Sequence, residues 1–227
     1  MIVVVGGGLV AVIAAQSLLD QGHDVMLTTA HAEFGFPHGG CGLWDTSVIN
    51  WPLQTLDEAV AAQDGSRITC RSQWLVKRLV HLFTAAGGRT STRIRLQQFE
   101  GEWHASGTGT FPLDDVHHVF LADQDVAEPS PSVGLPLLSH ARPCSWYGAV
   151  VAEGKAVDAE HMGQRADGST EIWTREASEL DALKPFTLES MTLVWDEADG
   201  SLNAARCAHR AIEAVQELMA SERLDGA

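Results

Sequence analysis

Residues Ile2-Val3-Val4-Val5 run directly into Gly6-Gly7-Gly8 and then into an apolar stretch that begins at Leu9. No other stretch of the chain narrows its fold as much. A short β-branched strand, a glycine bend and a helix in immediate succession form the opening of a βαβ unit, the arrangement that seats a dinucleotide diphosphate. Gly6 permits the tight turn, Gly8 lets backbone approach a phosphate, and Ala11 is small enough for close helix–strand packing. The helix start then presents N–H groups and the positive end of its dipole to negative charge. Val10, Ile13, Ala14, Ser17 and Leu18 keep helical spacing, Gly22 stands where a helix beginning at Leu9 stops, and Asp24 to Thr29 reads as the second strand. The seat is therefore expected at Gly6, Gly7, Gly8, Leu9, Val10 and Ala11, against the plainer reading of a structural glycine turn.

Composition removes several classes. The chain has 227 residues and a formal net charge of -15, which opposes nonspecific binding to nucleic acid or an anionic membrane. No apolar run approaches the roughly 20 residues a membrane span needs, and the first apolar run lacks the basic flank of a signal peptide. Cys41, Cys70, Cys144 and Cys207 show no CxxC spacing, so reduced thiols in a cytoplasmic protein are expected rather than a disulfide framework or zinc site. No metal site is expected: His117 and His118 are adjacent in a strand and point to opposite faces. His31 and His38 lie in a loop without a carboxylate partner at recognisable spacing; either is a candidate general acid or base, since imidazole titrates near neutrality. Neither a GxSxG elbow nor a P-loop is present.

Further along, a loop rich in Gly, Phe and His spans Phe34 to Trp44. Ser72 to Ala86 reads as a helix with Trp74, Leu75, Leu79, Leu82 and Phe83 on an apolar face, stopped by Gly87-Gly88. Thr90–Arg95, Leu96–Glu100, Trp103–Ser106 and Val116–Ala122 read as successive strands, Glu128 to Ser132 as a connector, and Cys144–Glu153 and Thr170–Arg175 as strands of a second sheet. Asn203 to about Glu222 is an amphipathic helix. Trp44, Trp51, Trp146, Trp173 and Trp195 either pack a core or line an aromatic pocket.

These segments together resemble FAD-dependent oxidoreductases of the para-hydroxybenzoate hydroxylase and geranylgeranyl reductase type. The match runs through VVVGGGLVAVIAAQSLLDQGHDVMLTTA, HGGCGLW, TCRSQWLVKRLVHLFTAAGGRT, VFLADQDVAEPSPSV and LVWDEADGSLNAARCAHRAIEAV, in that order. The resemblance implies an α/β protein: a Rossmann-type FAD-binding domain at 1–130 and 190–227, with a small antiparallel β-sheet substrate domain inserted at 131–189. It implies FAD as cofactor, with Thr29 and Ala30 near the adenosine ribose and Gly40, Cys41 and Gly42 beside the flavin ring. It assigns Arg71 to the diphosphate or flavin, Asp123 to the Ala-Asp segment, Asp196 to the ribityl chain, and Leu202 and Asn203 to the start of the closing helix. Cys41 and His38 are the candidate catalytic groups, Cys41 alternatively a buried inert thiol and Asp196 alternatively a plain helix cap. The pattern is broken where Thr29 replaces the family's Glu, with Glu33 four residues on as a substitute, and where Gln124 and Trp195 replace glycines. The implied activity is a monooxygenase or a dehydrogenase/reductase acting on a small or peptide-borne organic substrate. The alternative is a non-catalytic flavoprotein-like subunit with weakened cofactor binding. Across both readings the implied partner is a small-molecule substrate or another protein, within a homo- or hetero-oligomer.

Overall fold

The computed structural model describes residues 1–35, 41–45, 61–65, 67–122, 135–136, 143–155, 159, 161–196 and 204–225. The chain divides into two compact units: Met1–His38, Val76–Ser139 and Arg210–Ala227 form one, Gly39–Leu75 and His140–His209 the other. This grouping does not coincide with the expected boundaries: 39–75 and 190–209 group with the later antiparallel sheet, and 131–139 with the first unit.

In the first unit, β1 (Ile2–Val5) leads through α1 (Leu9–Asp20) to β2 (Val25–Thr29). The second unit takes up the chain with β3 (Leu43–Asp45), β4 (Ala61–Asp64) and β5 (Arg67–Cys70), which form a three-stranded antiparallel sheet in the order β3-β5-β4. After α2 (Ser72–Ala85) come β6 (Arg89–Thr92), β7 (Ile94–Phe99), β8 (Glu102–Gly107), β9 (His118–Leu121) and the short β10 (Leu135–Pro136).

The first unit's sheet is parallel, in the order β10-β9-β1-β2-β6. Val3 pairs with Met26 and Val119, and these side chains lie in one core cluster with Ile94 and Leu96 of the β7–β8 hairpin. Strand alternation sends Val4, Leu27 and Phe120 to the opposite face, where α1 packs on β1 and β2. Ala11, Val12, Ile13, Ala14, Ala15 and Leu18 of α1 are fully buried, a wider apolar surface than a half-exposed helix carries.

Both expected helix stops are present. Gly22 N–H donates to Leu19 O and His23 N–H to Leu18 O after α1; Gly87 N–H to Thr84 O and Gly88 N–H to Phe83 O repeat the pattern after α2. Each pair is a Schellman motif whose glycine takes positive φ, 87° at Gly22 and 103° at Gly87. Trp74 departs from its expected place on α2's apolar face and is 44% exposed, while Leu75, Leu79 and Phe83 are buried.

The second unit's main sheet consists of β11 (Pro143–Val151), β12 (His161–Gln164), β13 (Thr170–Thr174) and β14 (Thr187–Asp196), antiparallel in the order β12-β13-β11-β14. One face carries Ala149, Val151 and Ile172 against Leu180 and Leu183 of the 3-10 helix Ala177–Phe186. The other carries Trp173, whose ring lies over Gly148, and Gly163, which abuts Thr69 and Leu43 of β5 and β3. The chain closes with α3 (Ala204–Asp225), whose Ala211 and Val215 are fully buried.

The bend after β8 sets a steric limit. A Cβ on Gly107, φ 136°, would lie 1.8 Å from Arg93 O, and Arg93 itself has φ 58°. We expect Gly107→Ala to lower stability by about 1–3 kcal/mol in urea unfolding, the usual range for overpacking against backbone that cannot retreat. Gly101→Ala, where a Cβ meets nothing within 4 Å, should carry only the φ strain of a residue at 88° and cost less.

Candidate functional site

Two sets of residues carry chemistry, one in each unit. In the first, Gly6 N–H donates to Thr28 O at 2.8 Å, extending the β1–β2 pairing into the bend, and Gly35 N–H donates to Gly7 O at 2.7 Å. Gly8 is the N-cap of α1 in extended conformation, and Val12 N–H reaches Gly8 O at 3.3 Å. Its N-cap, being glycine, contributes no capping side chain of its own, and no acidic residue stands in its first turn. The bend lies at the end of β1, with β2 and β6 on one side and β9 and β10 on the other. That is where chain order reverses in an open parallel sheet, and where such sheets take their ligands.

Thr29 closes β2 and is 2% exposed; its Oγ1 accepts His31 N–H at 3.2 Å. Ala30 is exposed. Glu33 pairs with Lys77 at 3.0 Å on the surface.

In the second unit the centre is a residue that sequence reasoning missed. Glu171, on β13, is fully buried. Its Oε1 accepts Gly42 N–H at 2.6 Å and Trp173 Nε1–H at 2.7 Å. Its Oε2 accepts Arg165 Nε–H at 3.1 Å and Nη2–H at 2.7 Å. Arg165 is itself 4% exposed. The clue in the sequence is a carboxylate inside Thr170-Glu171-Ile172-Trp173-Thr174, a run otherwise suited to a half-buried strand.

Gly42 is held at both ends: its N–H goes to Glu171, and its carbonyl accepts Cys70 N–H at 3.1 Å. A Cβ there would lie 1.8 Å from Cys70 O, so only glycine fits. Cys41 is 4% exposed, with its Sγ accepting Leu43 N–H at 3.4 Å. Cys70, also buried, has its thiol pKa pushed up to about 12, first by burial and then by the Glu171 charge, with Arg165 opposing.

Arg71, at the mouth of α2, gives Nη2 to Glu189 Oε1 at 2.7 Å, and its guanidinium carbon lies 5.3 Å from the Trp74 ring centre. Glu189 Oε2 lies 3.7 Å from Arg165 Nη1. Thus Arg71, Arg165, Glu171 and Glu189 make one chain of alternating charge. Trp44, Trp146 and Trp173 are each at most 3% exposed and pack the core.

The first unit therefore gathers Gly6, Gly7, Gly8, Leu9, Val10, Ala11, Thr29 and Ala30, and the second gathers Cys41, Gly42 and Arg71. Asp196 ends β14 opposite Pro143, and its side chain lies outside the described residues, as do His38, Gly40, Asp123, Gln124, Leu202 and Asn203. Among the described residues no helix is long and apolar enough to cross a membrane.

No protein-family model and no curated protein sequence matches the chain. Solved structures do. A geranylgeranyl bacteriochlorophyll reductase-like protein from Thermoplasma acidophilum matches with TM-score 0.61 and 14% identity, over 97% of this chain and 79% of that one. CtdE in complex with FAD and a substrate gives 0.57 and 10%, over 93% and 78%. A flavoprotein/dehydrogenase from Cytophaga hutchinsonii gives 0.54 and 12%, over 96% and 78%. The fold is thus shared with these proteins, one of which is seen with FAD bound, and the parallel sheet is of Rossmann type.

Two measurements follow. Glu171→Ala leaves Arg165 buried without its carboxylate and should cost about 3–5 kcal/mol in urea unfolding. Glu33→Ala should stay within about 0.5 kcal/mol, as exposed pairs do. Because the folded state holds the Cys70 proton up to about 12, this thiol adds stability fully present below its ordinary value of 9.0 and lost as pH rises from there toward 12. Alkylation of the native protein at pH 8, mapped by peptide mass, should therefore mark the partly exposed Cys144 and spare Cys70.

Proposed function

We propose that this protein is an FAD-dependent oxidoreductase acting on a small organic substrate in the cytoplasm, with the cofactor diphosphate held at Gly6–Gly8 and the first turn of α1. One observation carries the reading: a glycine bend stands at the strand-order reversal of a parallel sheet, in front of a helix whose N-cap is glycine and whose first turn holds no acidic residue. Fold neighbours that bind FAD support the choice of dinucleotide.

The residues present fit the diphosphate better than they fit the ribose. Backbone amides and the α1 dipole meet negative charge without any cation, as this acidic chain requires. Thr29 Oγ1 already accepts a hydrogen bond inside the turn, which leaves its hydroxyl proton as the group to give a ribose oxygen. One such bond replaces the two a carboxylate would accept, so affinity should fall below that of a chain with Glu at this place. FAD bound here supplies the electron-transfer chemistry. Cys41, 4% exposed with its sulfur engaged, is given a packing role rather than that of a nucleophile. The reductase-like neighbour favours a reductase or dehydrogenase over a monooxygenase.

The test is colour. The purified protein, incubated with excess FAD and freed of unbound flavin, should keep visible flavin bands near one equivalent. Gly8→Val, with unchanged circular dichroism, should bind FAD at least about a hundredfold more weakly, because the branched side chain enters the space of the phosphates. A colourless protein that takes up no FAD overturns the proposal and leaves the accessory-subunit reading. Undiminished flavin retention in the Gly8→Val protein removes the diphosphate from this bend.

A further inference from the structure

The second unit holds two arginines whose hydrogen-bonding capacity its own carboxylates do not use up. Among the described residues, Arg165 Nη1 and Arg71 Nε are buried N–H groups with no hydrogen-bond acceptor. Arg165 is fixed: its side chain is 3% exposed, and Nε and Nη2 are committed to Glu171. Glu189 Oε2 lies 3.7 Å from its remaining Nη1, too long for a hydrogen bond. Glu189 spends its other oxygen on Arg71 Nη2 at 2.7 Å. Its carboxylate therefore stands between two guanidinium groups and bonds well to one of them.

Glu189 is also the member of this set that can leave. Its side chain is 34% exposed and Arg71's 38%, against none for Glu171. We propose that Arg71 and Arg165 form a receiving site for the carboxylate of a small organic acid, and that Glu189 is an internal stand-in which the ligand displaces. A free carboxylate, without the tether of β14, can meet both arginines with donors in hydrogen-bond reach, which Glu189 does not do. Charge selects a monoanion. Arg71 and Arg165 face one charge on Glu171 and one on Glu189, and a ligand that displaces Glu189 keeps this balance only with a single negative charge. A phosphate dianion would place surplus negative charge beside the buried Glu171. Asp167 adds to that bias: Ser169 holds its carboxyl below the usual range, with Arg165 and Arg71 contributing, so it stays ionised nearby.

All four charged groups belong to the second unit, and the glycine bend proposed for the diphosphate belongs to the first. The intact chain is titrated with sodium propionate and, separately, with inorganic phosphate, followed by NMR chemical shifts or calorimetry at constant ionic strength. Glu189→Ala should lower the propionate dissociation constant at least tenfold, and Glu189→Gln, which keeps the volume and removes the charge, should lower it as well. Adding Arg71→Gln to either variant should abolish the gain. FAD uptake measured on the same proteins keeps the two proposals apart: propionate binding that follows this pattern stands whether or not flavin is taken up. Unchanged propionate affinity in both Glu189 variants overturns the stand-in, indifference to Arg71→Gln overturns the receiving pair, and phosphate binding tighter than propionate overturns the choice of carboxylate.

Discussion

Burying a carboxylate with no exposure at all is among the costliest placements a chain can make, and Glu171 is tolerable only because both oxygens are saturated. Its four donors come from separate places: backbone at Gly42, the indole of Trp173 on its own strand, and two nitrogens of Arg165 from the turn before it. The bond to Gly42 spans 129 residues of sequence, so it forms only when the small β3–β5 sheet is seated against β12 and β13. The requirement then spreads outward. Gly42 must lack a side chain, since Cys70 O fills that space, and Gly163 must lack one because Thr69 and Leu43 do. Cys70 inherits an environment in which a thiolate is doubly disfavoured, by burial and by the neighbouring carboxylate. One desolvated charge thus accounts for two glycines, an unreactive thiol and the register by which two sheets meet.

The first unit rests on a different constraint, the pairing of a buried parallel sheet on both faces. Val3 and Met26 take the β7–β8 hairpin, while α1 covers the other side with alanines and branched residues. Because both faces are covered, β1 and β2 read as nearly continuous apolar runs rather than alternating ones. The bend at Gly6–Gly8 follows from that geometry: the strand end is at the point of reversal, and the helix must start there to return over the sheet.

Much of this first unit was legible in the sequence because its signals are local. Strand, glycine bend, helix and the glycine stop at Gly22 all lie within the first 29 residues, and Gly87-Gly88 ends α2 by the same short-range motif. In the second unit β11 and β13 are legible at 144–153 and 170–175, but the remainder is not, for the opposite reason. β3 sits inside what looks like a glycine-rich loop, and its strand character comes from pairing Leu43–Asp45 with Arg67–Thr69, not from its own residues. Trp74 shares the helical spacing of Leu75 and Phe83 closely enough to be read as core, yet it lies outside beside the Arg71 guanidinium. Glu171, Arg165 and Glu189 gave no motif at all, because a charge network assembled from a turn and two strands has no fixed spacing along the chain.

The two candidate sites also answer one electrostatic problem in two ways. A chain of net charge -15 repels anions at long range, although at physiological salt that field is screened beyond about 8 Å. Short-range recognition is what remains. The glycine bend offers fixed dipoles, which need no counter-charge and lose little when the ligand leaves. The arginine pair offers full charges, which an empty site in an acidic protein would leave uncompensated; Glu189 supplies that compensation from within. A tethered carboxylate that fits one arginine well and the other badly is a consistent solution: it keeps both arginines compensated at rest, and its imperfect bond sets how little a competing acid must gain in order to enter.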